Sequence, residues 1–140
     1  MRDARTIQVQ DGVRWVPAAV AASQAGEDLC LLRVTLSTQF AGRMPIAGFQ
    51  PGSVVLAVSS AEGLPSIVSQ GIVSGIREVL GRQLLVFSAP ISEGSSGGGV
   101  FDSSGALVGI IYGEITTGNG LSLAVPSDHV RALWLGAAAH

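Results

Sequence analysis

The sequence has few of the residues that build metal, cofactor or nucleic-acid sites. Of its 140 residues, one is a cysteine and two are histidines. An internal disulfide is therefore excluded, and a metal site made of His and Cys has too few ligands. Charged residues make up 13% of the chain, the net charge is −2, and no basic stripe of the kind that binds nucleic acid is present. No phosphate-binding loop or dinucleotide-binding pattern occurs either, so we expect no cofactor, no metal ion and no nucleic-acid partner.

The chain also lacks a long uninterrupted apolar run. Hydrophobic residues make up 47% of it, but no run approaches the roughly 18 residues that a membrane-spanning helix needs, so no span is expected. Residues 1–5 carry charges that no apolar stretch follows, which is unlike a secretory leader. The length is enough for one domain with a substantial core, and aromatic residues are only 5%, so this core is mostly aliphatic.

Short apolar segments separated by turn residues predict an all-β fold. The first three strands are expected at 6–10, 14–22 and 28–34, with a hairpin turn at Asp11-Gly12. A segment rich in Gly and Pro follows them. Six further strands are expected at 53–59, 67–76, 83–88, 99–101, 107–112 and 120–125. This succession of short strands and turns is typical of a β-barrel or a β-sandwich.

One helix is expected after the last strand. The Ser127 hydroxyl can cap its first turn, in which Asp128 interacts favourably with the helix dipole. Val130, Leu133 and Trp134 share one face, which we expect to pack on the barrel. Gly136 is expected to end the helix.

The most informative segment is 93–99, with the sequence EGSSGGG. Its glycines allow a tight turn that aims backbone N–H groups at a point beside a serine hydroxyl, which is how a nucleophile and an oxyanion hole are built. A flexible Gly/Ser linker is the alternative interpretation. Apolar, β-branched segments lie within a few residues on both sides, and this favours a structured turn between two strands.

Five segments occur in the order in which one protein family carries them. They are DLCLLRV at 28–34, QGIVS at 70–74, GSSGG at 94–98, LVGI at 107–110 and LAVP at 123–126. Together they resemble segments of the chymotrypsin-fold serine proteases, and most closely those of the bacterial trypsin-like peptidases of the HtrA/Deg type. The resemblance implies an all-β, chymotrypsin-like double β-barrel, with an incomplete first barrel, a complete six-stranded second barrel and a C-terminal α-helix.

The same resemblance divides the chain into four parts. They are about half of the N-terminal barrel at 1–38, a connecting segment at 39–52, the C-terminal barrel with the nucleophile turn at 53–126, and the terminal helix at 127–140. Bacterial members of the family are often exported, so the resemblance points to the cell envelope, the periplasm or the secreted fraction.

The resemblance also implies roles in peptide-bond hydrolysis for three residues. Ser96 corresponds to the nucleophile, and the backbone N–H groups of Gly94 and Ser96 correspond to the oxyanion hole. Asp28 corresponds to the aspartate that orients the catalytic histidine and stabilises it once it is protonated.

Further residues correspond to the family's substrate-binding elements. Ile110, Ile111 and Tyr112 lie on the strand that pairs with the substrate backbone, and Ala124 walls the pocket for the residue before the scissile bond. Pro90 lies near the base of that pocket. Because no carboxylate occurs at Pro90, cleavage after Lys or Arg is not expected, and a small or aliphatic side chain fits better.

The family's general base is absent from its usual place. The histidine of this family precedes the aspartate, yet residues 1–27 contain none, and His129 and His140 both follow Ser96. We therefore expect a truncated serine endopeptidase that is inactive as this chain alone. The alternative is a pseudoprotease that binds extended peptides or acts as a scaffold. A β-barrel without any site is the third possibility, and it leaves the order of the five segments unexplained.

An incomplete first barrel has a further consequence for association. Half a barrel leaves unpaired strand edges and exposed apolar faces. The partners expected from the sequence are therefore an extended polypeptide substrate and, through those edges, other copies of the chain.

Overall fold

A computed structural model describes residues 6–36, 49–60, 66–115 and 120–139. Most of the predicted connecting segment and His140 lie outside these ranges. The described strands are β1 Ile7–Asp11, β2 Arg14–Gln24, β3 Leu29–Val34, β4 Val54–Ser59, β5 Ile67–Val79, β6 Arg82–Phe87, β7 Gly99–Asp102, β8 Leu107–Glu114 and β9 Ser122–Pro126. Each corresponds to a strand expected from the sequence, so the all-β prediction is confirmed. A helix, α1 Ser127–Ala138, follows them.

The first three strands form an antiparallel sheet in the order β1-β2-β3. The predicted hairpin closes at the pair Asp11 and Arg14, with Gly12 in the left-handed region at φ 63°. A short 3-10 helix, Ala25–Glu27, connects β2 to β3. Every residue of this sheet is exposed or only half-buried, because three strands enclose little apolar volume.

The other six strands close into an antiparallel barrel in the order β4-β5-β6-β9-β8-β7. Closure removes the free edges that an open sheet would leave, and it encloses the hydrophobic core. The fully buried core side chains are Val55, Ala57, Val73, Leu85, Phe87, Ala89, Val100, Val108, Ile111 and Ala124. This barrel holds the segment 93–99 between β6 and β7.

One expectation for α1, its end at Gly136, is wrong. The helix continues past Gly136 to Ala138, because a helical glycine costs only about 1 kcal/mol relative to alanine. Its second half, from Ala132, forms one compact unit with the three-stranded sheet, whereas the barrel forms the other unit. Trp134, 56% exposed, lines a cleft with Leu31 and Ala21 of that sheet. No helix within the described ranges has the length and apolar character to cross a membrane.

Candidate active site

Ser95 is the structural centre of the turn between β6 and β7. It is only 2% exposed. Its amide donates to the Ser92 carbonyl at 3.0 Å, and its hydroxyl oxygen accepts from the Ser92 amide and from the Ser59 hydroxyl, both at 3.2 Å. These bonds tie the turn to the end of β4. Sequence reasoning gave Ser95 no role, since its partner Ser59 is distant in the chain.

The glycines of the turn adopt backbone conformations that other residues disfavour. Gly94 and Gly97 have φ angles of 89° and 90°, in the left-handed region that L-residues with a side chain rarely adopt. At Gly98 a Cβ atom would lie 2.6 Å from the carbonyl oxygen of Val58, so the turn packs directly against the β4 backbone. The glycine-rich sequence is therefore a rigid, packed turn, as predicted.

The backbone amides of the turn divide into two sets. Those of Ser95, Gly97 and Gly98 donate to carbonyls of the protein, at Ser92, Ile111 and Ser95 respectively. Within the described ranges, the amides of Gly94 and Ser96 donate to no backbone carbonyl. Two backbone donors next to the Ser96 side chain thus have no backbone acceptor, and a pair of amides of this kind can stabilise an oxyanion.

Ser96 lies at the surface of an open cleft. Its hydroxyl donates to the carbonyl oxygen of Tyr112 on β8 at 3.1 Å. The cleft has a volume of about 360 Å³, and its lining residues are Val58, Ser59, Ser60, Ser66, Gly94, Ser96, Gly97 and Gly98. None of these lining residues carries an ionisable side chain, so they include no group that could take the Ser96 proton.

The strand beside Ser96 differs from the prediction. Ile110 pairs with both β7 and β9, and Ile111 pairs with β9 and, through its backbone, with Gly97 and Gly98. Backbone groups that already pair on both sides cannot receive a peptide strand. Within the described chain, the edge of β8 that no other strand covers runs from Tyr112 to Glu114, and of the three residues expected to pair with a substrate it includes Tyr112.

A second cavity of about 380 Å³ lies at the other end of this edge. It is lined by Pro90, Ile91, Glu114, Ile115, Gly120, Leu121 and Ser122. Pro90 is thus at a cavity wall, where the resemblance implied a pocket. Glu114, to which the sequence gave no role, joins it there because β8 brings the two segments together. Ala124 is fully buried in the barrel core and is not among the residues that line this cavity.

Asp28 belongs to the other unit, at the start of β3. It ends the short 3-10 helix with φ 54°, and its amide donates to the Ala25 carbonyl at 3.3 Å. Its side chain is exposed. The barrel therefore brings together Ser96, Gly94 and Tyr112, whereas Asp28 is not among the residues that line the Ser96 cleft.

Comparison with known proteins gives consistent matches. The family model "Trypsin-like peptidase domain" matches residues 2–110. The serine endoprotease DegS of Haemophilus influenzae is 41% identical over an alignment of 88 residues that covers 55% of this chain and 26% of DegS. The magnetosome formation protease MamE of Paramagnetospirillum magneticum is 32% identical over an alignment of 137 residues that covers 90% of this chain and 19% of MamE.

The structural comparison agrees with the sequence matches. The HtrA-type protease AlgW, solved with a decapeptide, superposes with a TM-score of 0.88 at 26% identity, over 99% of this chain and 46% of AlgW. This chain thus spans less than half the length of the proteins that it matches here. The chymotrypsin-like double-barrel prediction is confirmed. The chain belongs to the trypsin-like peptidase family and is similar to its HtrA-type serine endoproteases.

Proposed function

We propose that this chain provides the nucleophile and the oxyanion hole of a serine endopeptidase. The observation that carries the proposal is the exposed Ser96 hydroxyl, flanked by the amides of Gly94 and Ser96, which have no backbone acceptor within the described ranges. These two amides would bind the negative oxygen of the tetrahedral intermediate. The proteases DegS and AlgW, to which the chain is similar, are consistent with this reaction.

The proposed reaction follows the serine-protease template. Ser96 Oγ bonds to the carbonyl carbon of the peptide, and its proton passes to a histidine and then to the leaving amine. Water then releases the acyl group from Ser96. Asp28 would orient that histidine, and because residues 1–27 contain none, we propose that the native protein supplies it from outside these 140 residues.

A second candidate function is peptide binding without hydrolysis. The Ser96 hydroxyl donates to the Tyr112 carbonyl, and none of the described residues that line its cleft has an ionisable side chain that could accept the proton. The unpaired edge of β8 from Tyr112 to Glu114 could still add an extended peptide as a further strand. AlgW, a similar protein, has been solved with a decapeptide.

A hydrolysis assay of the native protein, with an unfolded protein as the substrate, distinguishes the two functions. We expect Ser96→Ala to lower the rate at least about 10³-fold, since removing the nucleophile of a triad has effects of this size or more. Ser103→Ala, which alters an exposed serine in a distant turn, is the matched control and should keep the parent rate. Equal hydrolysis by parent and Ser96→Ala proteins would contradict the protease proposal. Peptide binding by both, without hydrolysis by either, would favour the second function.

We also propose that the isolated chain associates with itself through the three-stranded sheet. Within the described ranges, β1 and β3 each pair with one neighbour, and Trp15 and Val20 are 62% and 46% exposed. Unpaired edges beside exposed apolar side chains favour strand addition from another copy. Light scattering should therefore give a mass above that of the 14.2 kDa chain, increasing with concentration. A constant monomer mass at high concentration would contradict this proposal.

A further inference from the structure

The cavity beside Pro90 combines an apolar wall with one carboxylate. Pro90, Ile91, Ile115 and Leu121 provide the apolar lining. Ser122 adds a hydroxyl, whose proton is already used in a hydrogen bond to the Ala89 carbonyl at 3.1 Å. Among the described lining residues Glu114 is the one that carries an ionisable side chain, and it is exposed to solvent. The cavity lining therefore combines several apolar side chains with one solvent-exposed carboxylate.

This cavity lies along the same strand edge as the nucleophile. Tyr112, whose carbonyl contacts the Ser96 hydroxyl, is two residues from Glu114 on β8. Two residues of an extended strand span about 7 Å. Consider a peptide that pairs with the unpaired edge of β8. One of its side chains, close to the carbonyl group that reacts with Ser96, would then reach both the cavity and Glu114.

We propose that this cavity takes a lysine or arginine side chain of the bound peptide, and that Glu114 is the specificity-determining residue that recognises its charge. The aliphatic stem of such a side chain packs on apolar surface while its charged end stays near solvent. The exposed Glu114 carboxylate then pairs with that charged end. This inference rests on the proposed function of the site, namely that the edge of β8 binds a peptide.

The proposal revises the preference expected from the sequence. The absence of a carboxylate at Pro90 predicted a small or aliphatic side chain. The folded chain brings a carboxylate to the same cavity from β8, 24 positions later in the numbering. A long cationic side chain in this cavity can pair with that charge, whereas an aliphatic one cannot.

Peptide binding to the full chain carrying Ser96→Ala tests the proposal without interference from turnover. Three labelled peptides would differ at a single position, as lysine, norleucine or glutamate, and binding would be followed by fluorescence anisotropy. Norleucine matches the aliphatic stem of lysine and lacks its charge. We expect lysine to bind about two- to fivefold more tightly than norleucine, and glutamate to bind most weakly. The preference for lysine should decrease as salt is added.

Variants of Glu114 measure how much this residue contributes to the preference for the lysine peptide. Glu114→Gln should remove the preference for lysine and leave norleucine binding unchanged, and Glu114→Lys should make glutamate the favoured peptide. Glu78→Gln removes an exposed charge on β5, outside the cavity, and should keep the preference. Equal binding of lysine and norleucine peptides to the parent, or a preference that survives Glu114→Gln, would overturn the role of Glu114 alone. Failure of all three peptides to bind would overturn the peptide-binding function as well.

Discussion

Replacing Gly94 by alanine is expected to slow the covalent labelling of Ser96 by a fluorophosphonate about a hundredfold. Gly94 has a φ of 89°, and a side chain there disfavours the backbone conformation that presents its amide to the cleft. Loss of one oxyanion donor typically lowers the rate of a serine protease about 10²- to 10³-fold. The rate constant of labelling, measured at several reagent concentrations, gives the effect directly.

Gly105→Ala is the matched control for this substitution. Gly105 has a similar φ of 82°, lies in the turn between β7 and β8, and has open space where a Cβ atom would be placed. The two substitutions therefore introduce comparable backbone strain, of the order of 1 kcal/mol, in the same barrel. We expect the Gly105→Ala protein to be labelled at the parent rate. An equal decrease in both variants would mean that strain, and not the Gly94 amide, determines the labelling rate.

Gly71→Ala is expected to have the largest effect on stability. Gly71 lies on β5, and a Cβ atom there would collide with the Ala89 backbone, at 2.7 Å from its Cα atom. Ala89 is fully buried and directly precedes Pro90, so the clash cannot be relieved by moving a flexible side chain. We expect the free energy of unfolding to decrease by about 3 kcal/mol, at the upper end for overpacking. Urea unfolding followed by far-ultraviolet circular dichroism measures this decrease.

Gly136→Ala is the control for the loss of stability expected of Gly71→Ala. Gly136 lies within α1, with open space around the position of a Cβ atom. Alanine is favoured over glycine in a helix by about 1 kcal/mol, so this variant should be as stable as the parent or more stable. A Gly71→Ala protein that unfolds within 1 kcal/mol of the parent would contradict the close backbone contact at Ala89.

Local patterns in the sequence predicted most of the fold. Each strand has its own run of apolar and β-branched residues between turn residues, and each was predicted to within a few positions. The end of α1 was predicted incorrectly because a single glycine is a weak stop signal. The surroundings of Trp134 were also missed, since its neighbours Ala21 and Leu31 are about a hundred positions away in the chain.

In the candidate site, too, the features that depend on consecutive residues were predicted, and the features that depend on distant residues were not. The turn that carries Ser96 was predicted because its glycines and serines are consecutive. Pairing of Ile110 and Ile111 on both sides could not be predicted, because it depends on which strands become neighbours when the barrel closes. The hydrogen bond from Ser59 to Ser95 and the place of Glu114 beside Pro90 likewise depend on barrel closure.

Mass spectrometry of the protein after fluorophosphonate treatment tests the central claim most directly. The account predicts one adduct, mapped to Ser96 and absent from the Ser96→Ala variant. Labelling without the histidine should be slow, but an oxyanion hole alone still accelerates attack about 10³- to 10⁴-fold over the uncatalysed reaction. Selective modification of Ser96 among all the exposed serines would therefore identify a functional nucleophile turn. Absence of an adduct, or labelling spread over several serines, would contradict this claim.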